Sequence, residues 1–263
     1  MAHALSDSHQ ITCIGLDLAW SPRNPTGAAV ISGDAYGGAL IETALLGDLE
    51  QIVAYVARHA GDGPALVAVD APLRVPNATG QRPAEALLGQ VFRRYDAGAH
   101  PANRSLPAFR GGVRGEQLVE ALAAHRIIHD RATIEAGVLA RQVVEVYPHP
   151  AMVVLFELDK TLKYKAKPGR SIETRRAAWR SYQQHLIGLT GADPPLRGHT
   201  DWLAADVDQL SGRRLKDYED QIDAIVCAYI ALYAFRWGAA RCRAFGSLEE
   251  GSIFTPVPEG IRL

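Results

Sequence analysis

The sequence predicts an α/β fold on a mixed sheet, in which a three-stranded antiparallel meander leads into parallel strands joined by helices. Three observations carry that expectation. Hydrophobic residues make up 48% of the 263-residue chain and charged residues 22%, ordinary globular usage with enough apolar material for a sizeable core. The N-terminal part of the chain holds three short strand-like runs separated by the turn-rich SPRNP and GDAYG. A later run, 65–70, is nearly all apolar, as suits a strand covered on both faces in the parallel part of a sheet, and a further strand follows at 142–147.

Taken in order, the meander strands are expected at 11–19, 26–32 and 38–45. Asp48 then caps a helical pattern in which Leu49, Ile52, Val53, Val56 and Ala57 recur at three and four residues, ending near Gly61 and Gly63. The strand at 65–70 stops at Pro72. Helical patterns at 84–95 and 115–135 flank the loop PANRSLPAFRGGVRG, and the strand at 142–147 ends at Pro148. From 152 to 211 the chain is polar and basic, with a helix expected over 172–187. The most apolar helix is expected from about 217 to 237, and a short strand at 253–255 closes the chain. This element order is that of the ribonuclease H-like fold: one domain over 1–263, with insertions at about 73–140 and 152–215.

Lys and Arg total 28 against 29 Asp and Glu, a formal net charge of -1, so any nucleic-acid contact must come from a local basic patch. Cys13, Cys227 and Cys242 are odd in number and widely spaced, which argues against a disulfide framework or structural zinc and for a reducing, cytoplasmic setting. The N-terminal MAHALSDSHQ has no leader pattern. The apolar stretch 224–237 is broken by Arg236 and too short to span a bilayer, so no membrane partner is expected.

Three strands carry an acid at or near their carboxyl ends: Asp17 in IGLDLAW, Asp70 in VAVDAPL and Glu145 in VVEVYPHP. Open α/β sheets place ligands at that edge. A carboxylate among such apolar neighbours is costly unless it is paired or metal-bound. On the long helix, Asp223 falls at the centre of the stripe of Val226, Cys227, Ile230 and Ala234, with Asp220 about 60° away. Crowded carboxylates repel, and a divalent cation relieves them; hard oxygen donors select Mg²⁺ or Mn²⁺. Asp17, Asp70, Asp220 and Asp223 are therefore the candidate metal ligands, and Asp17, Asp70, Asp223 and Glu145 the candidate catalytic acids. For each acid alone a turn or helix cap is the plainer role, and Glu145 could equally pair with an arginine.

Between residues 160 and 180 eight basic residues face one acid, Glu173. Lys163, Lys165 and Lys167 are candidate phosphate contacts there, with Tyr164 and Trp179 placed to stack on bases, against the alternative of a solvated helix face and loop. Arg104, Arg110 and Arg114, with Asn103, form a sparser second basic loop, against the alternative of a well-hydrated connection. His149, between two prolines, suits a turn better than catalysis. The nucleophile-elbow, Walker, dinucleotide and zincin templates are all absent from the sequence.

Together IGLDLAW, VAVDAPL, VVEVYPHPA, LKYKAK, DQIDAIVCAYIA and GSLEEGSIFTP resemble the family called domain of unknown function 429, described as predicted nucleases of the ribonuclease H fold. The resemblance covers nearly the whole chain. It implies metal-binding acids at Asp17, Asp70 and Asp223, with Glu145 and Asp220 as further positions. The expected function is Mg²⁺- or Mn²⁺-dependent hydrolysis of phosphodiester bonds in nucleic acid. The alternatives are a nucleic-acid- or protein-binding module without turnover, and a phosphotransferase of the sugar-kinase and actin-like group, which lacks its Gly-rich phosphate hairpin here.

Overall fold

Antiparallel pairing of β1 (Ile11–Asp17), β2 (Thr26–Asp34) and β3 (Gly37–Leu46) builds the meander, with Val30 and Ile31 flanking an irregularity in the β2–β3 register. In the computed structural model, which describes residues 10–260, β4 (Ala65–Val69) lies parallel to β1 and β5 (Arg141–Glu145) parallel to β4. The N-terminal residues 1–9, on which the expectation of no leader largely rests, lie outside the described residues. A two-residue strand, β6 (Leu196–Arg197), joins the far edge beside β3, giving the order β5-β4-β1-β2-β3-β6. This is the mixed α/β sheet expected, and its first five positions are compatible with the ribonuclease H-like arrangement.

Helices cover both faces of the sheet. Asp48 caps α1 (Leu49–Ala60) by accepting from the Gln51 amide, and α1 shares one face with α3 (Arg114–Ala123) over Ile14, Leu16, Val67, Val69 and Val143. On the other face lies α6 (Gly212–Trp237), packed over Cys13, Ala29, Leu66, Ala68 and Val144. By length and composition α6 with the following turn to Ala240 could cross a membrane, but 83% of its most apolar window is buried inside the fold. Two glycines let it lie flush on the sheet. A Cβ on Gly15 would collide with the Ala224 carbonyl, and one on Gly27 with the Asp220 carbonyl.

Several boundaries differ from the sequence expectation. The helix expected over 115–135 ends at Ala123, because the chain turns back through Arg126, at φ 61, to bring Ile128 beside Gln142 of β5. The long helix begins at Gly212 rather than near 217; its first turns are polar and mostly exposed, so they carry no apolar stripe to read. The closing strand, β8 (Gly251–Pro256), pairs with β7 (Cys242–Ser247) in a separate hairpin. That hairpin packs on α2 (Pro83–Phe92) and α4 (Pro148–Leu155), with Phe92 edge-on to Phe245. Helix α5 (Ile172–Gly188) matches its expectation and is capped by Ser171.

Candidate acid-cluster site

Strand parity decides which acids meet. Leu16, Val69 and Glu145 share one row of the parallel register, so Asp17 and Asp70 lie one step beyond it. The Asp70 amide donates to the Leu16 carbonyl at 2.8 Å, which keeps the two strand ends aligned past the last paired residues. Successive side chains alternate between faces. Asp17 therefore follows Cys13 and Gly15 onto the α6 face, and Asp70 follows Leu66 and Ala68 onto the same face. The close approach at Gly15 and Gly27 brings the N-terminal half of α6, with Asp220 and Asp223, over these strand ends.

Asp223 is wholly buried, and its two oxygens are treated differently. Oδ1 accepts from the Tyr164 hydroxyl at 2.8 Å and the Tyr182 hydroxyl at 3.1 Å. Oδ2 lies 2.7 Å from Lys165 Nζ but receives no well-aligned hydrogen bond, so the ammonium acts there chiefly as a charge. Asp17 and Asp70 are half-buried and line a cavity of about 350 Å³ that also presents Lys165, Lys167, His149, Lys216 and Asp220. Burial opposes the charge on Lys165, yet Asp223, Asp17, Asp70 and Glu219 together hold its pKa well above the ordinary lysine value. Burial likewise drives Asp17 well above the ordinary carboxyl range, against the pull of Lys165 and with the repulsion of Asp223, Asp70 and Asp220. His149 is pushed down to about 3 by burial and Lys165, so it is neutral at neutral pH.

Burial pushes the Asp70 carboxyl up to about 7 from an unfolded value of 3.8, with Lys165 opposing and Asp223 reinforcing the rise. A folded pKa above the unfolded one means that the folded state holds the extra proton. Its stabilising contribution is complete below pH 3.8 and is lost as pH rises toward about 7. Denaturant melts in chelator should therefore show Asp70→Asn gaining stability relative to the wild type as pH rises through this window. Parallel pH profiles for the two proteins would contradict the assignment.

The other sequence candidates go elsewhere. Glu145 is one residue out of phase with Asp70 and points to the opposite face, where Arg82 holds both its oxygens at 2.6 and 2.8 Å and the Leu73 amide donates to it. The arginine pairing weighed for it is the one found, and its expected catalytic role is corrected to that of a buried ion-pair partner. Asp220 is paired with Lys216 at 2.6 Å and remains on the cavity wall. Lys165 is embedded among the acids instead of standing free for a phosphate. Lys163 pairs with Asp96 at 2.9 Å, and Lys167 lies 3.3 Å from His100 in the cavity. Arg104 binds Glu116 through both carboxylate oxygens, and Arg110 is exposed and borders neither this cavity nor the one beside it. Tyr164 and Trp179, expected to stack on bases, are fully buried against each other. The sequence reading also missed Arg82 and Tyr182; Arg82 three residues before Glu85 was the available signal for a capping pair.

Oxygen-only donors carrying more negative than positive charge suit a hard divalent cation by chemistry. Among the described residues, however, no three acidic, His or Cys side chains stand close enough to form a ready-made metal group. Lys165 supplies the positive charge in the arrangement observed. Fold and site together define an α/β protein with a carboxylate cluster at the carboxyl edge of its sheet. The chain belongs to the family described as protein of unknown function (DUF429), whose model matches residues 15–245. No curated protein and no solved structure matches the chain.

Proposed function

We propose that this protein is a Mg²⁺- or Mn²⁺-dependent phosphodiesterase acting on nucleic acid or a nucleotide, working in a reducing, cytoplasmic setting consistent with its three buried free thiols. The observation that carries this reading is the placement of Asp17, Asp70 and Asp220 on one cavity, with the buried Asp223 behind its wall paired to the cavity's Lys165. Asp17, Asp70 and Asp223 would hold the cation, with Asp220 at the margin. A bound divalent cation supplies Lewis acidity at a phosphoryl oxygen and a water of lowered pKa. The chain's own part is to keep the carboxylates aligned from rigid strand ends and a packed helix, and to offer Lys167 to the phosphate.

The test is cleavage of an end-labelled oligonucleotide with and without Mn²⁺, paired with thermal melts at fixed ionic strength. Metal-dependent cleavage is expected from the wild type and lost in Asp17→Asn. A cation at a hundred times its dissociation constant should add about 2.7 kcal/mol of stability, and Asp17→Asn should lose that response. Unchanged cleavage by Asp17→Asn would overturn the reading. One observation favours a non-catalytic binding module instead: the Lys165–Asp223 pair satisfies a buried charge without any cation. That reading predicts salt-sensitive binding indifferent to metal.

A further inference from the structure

Next to the acid cavity lies a second one, of about 220 Å³, and the two share Trp20, Asp70, His100 and Tyr147. We infer that this second cavity is a stacking slot that takes one nucleobase of the substrate strand without selecting among bases; the inference rests on the proposed phosphodiesterase reading for its substrate class. Drug-sized ligands occupy pockets of about 300–1,000 Å³, so this cavity suits a single ring system and not a whole nucleotide. The adjoining cavity of about 350 Å³, with Lys165 and Lys167 on its wall, is where the sugar and phosphate then fall.

The walls have the chemistry of a ring slot. Trp20 is held by stacking on Phe109, with centroids 5.2 Å apart and planes at 29°, and it lines both cavities. Tyr147 stands edge-on to His149, and Pro72, Val146 and Ile253 are among the apolar residues of the lining. These aromatics take the place of Tyr164 and Trp179, which the core has absorbed.

The polar floor is closed to base reading by its own hydrogen bonds. Arg82 spends all three guanidinium nitrogens on Glu85, Glu145 and the Arg74 carbonyl. Glu145 also accepts from the Leu73 amide, and Glu85 from the amides of Arg82 and Ala102. Arg82, Glu85 and Glu145, satisfied in this way, have no directed hydrogen bond to offer a base edge; Asp70 and His100 line both cavities, Asp70 as a proposed cation ligand and His100 3.3 Å from Lys167. Discrimination by hydrogen bonding needs site groups that the wrong ligand leaves unpaired. Stacking is tolerant, because every base has a π-face.

The experiment uses the full chain in chelator, so that strands bind without being cut. Single-stranded oligonucleotides carry 2-aminopurine at successive positions, and quenching of its fluorescence reports stacking. One position should quench in the wild type. Trp20→Ala should abolish that quenching and weaken binding roughly 5- to 150-fold, the range that about 1–3 kcal/mol of stacking implies. Trp20→Phe should restore most of both, which separates stacking from a folding defect. An abasic site at the quenched position should weaken wild-type binding by a similar factor and leave Trp20→Ala unaffected. Exchanging the four bases there should change affinity less than about threefold, against the larger changes that directed base contacts give. Equal binding of abasic and intact strands by the wild type, or strong preference for one base, would overturn the slot. Quenching without metal-dependent cleavage would leave the slot standing and defeat the phosphodiesterase reading alone.

Discussion

Arg82→Met should cost about 3–5 kcal/mol of folding stability at neutral pH, the penalty for stranding a buried charge by removing its partner. The methionine keeps most of the apolar stem, so lost packing contributes little. What is lost is the guanidinium that joins Glu85 to Glu145, all three side chains being almost completely buried. Burial already raises the Glu145 carboxyl above its ordinary range, and Arg82 is the strongest influence holding it down. Without Arg82 its folded pKa rises further, so the variant regains stability as pH falls and that carboxyl protonates. Adding Glu145→Gln should recover part of the loss, leaving Glu85 with its backbone donors from Arg82 and Ala102. Urea melts at pH 5 and pH 8 check this. A cost below about 1 kcal/mol at pH 8 would mean that water reaches the pair and solvates it.

How far the site could be read in the sequence depended on whether local pattern carried direction. Asp17 and Asp70 follow apolar runs that end abruptly, and Asp223 interrupts an otherwise apolar helical stripe, so these three announce themselves. Glu145 sits in Val143-Val144-Glu145-Val146, a strand buried on both faces, where period-two alternation vanishes and nothing tells one face from the other. Only the register with β4 reveals that it points away from Asp70. The basic segment failed for a different reason. Charge composition counted its lysines correctly, but Lys163 and Lys165 find Asp96 and Asp223, 67 and 58 residues distant in sequence, and a loop without periodicity encodes no such pairing. Gly15 and Gly27 were readable after the fact: glycine inside a strand marks close backbone approach, and both lie beneath α6. The β7 strand, Cys-Arg-Ala-Phe-Gly-Ser, is short and mixed in polarity, and it forms only because β8 and α2 are there to receive it.

Lys165→Met should be about as destabilising in chelator as the loss of Arg82, for a related reason with a different remedy. Asp223 has no exposure, and its Oδ2 would face Asp17 and Asp70 with no cation beside it. Breaking a buried pair by removing one partner costs about 3–5 kcal/mol. Lys165 lowers the carboxyl pKa values of Asp17 and Asp70. Its removal raises both further, so the folded state takes up protons that the unfolded chain has released. The gap between variant and wild type should be small in acid and widen as pH rises through the raised values. Lys165→Met with Asp223→Asn should recover much of the loss, since no isolated charge then remains at the deepest position. Mn²⁺ supplies the test that proton linkage alone does not. If Lys165 stands where a cation's charge is needed, millimolar Mn²⁺ should raise the melting temperature of Lys165→Met more than that of the wild type, because no ammonium competes. Equal responses, or a variant as stable as the wild type in chelator at pH 8, would show that the ammonium is incidental to the cluster. The methionine variant is the discriminating one, because it removes the charge while leaving the aliphatic stem against Tyr164, over whose ring Lys165 Nζ lies 5.7 Å from the centroid.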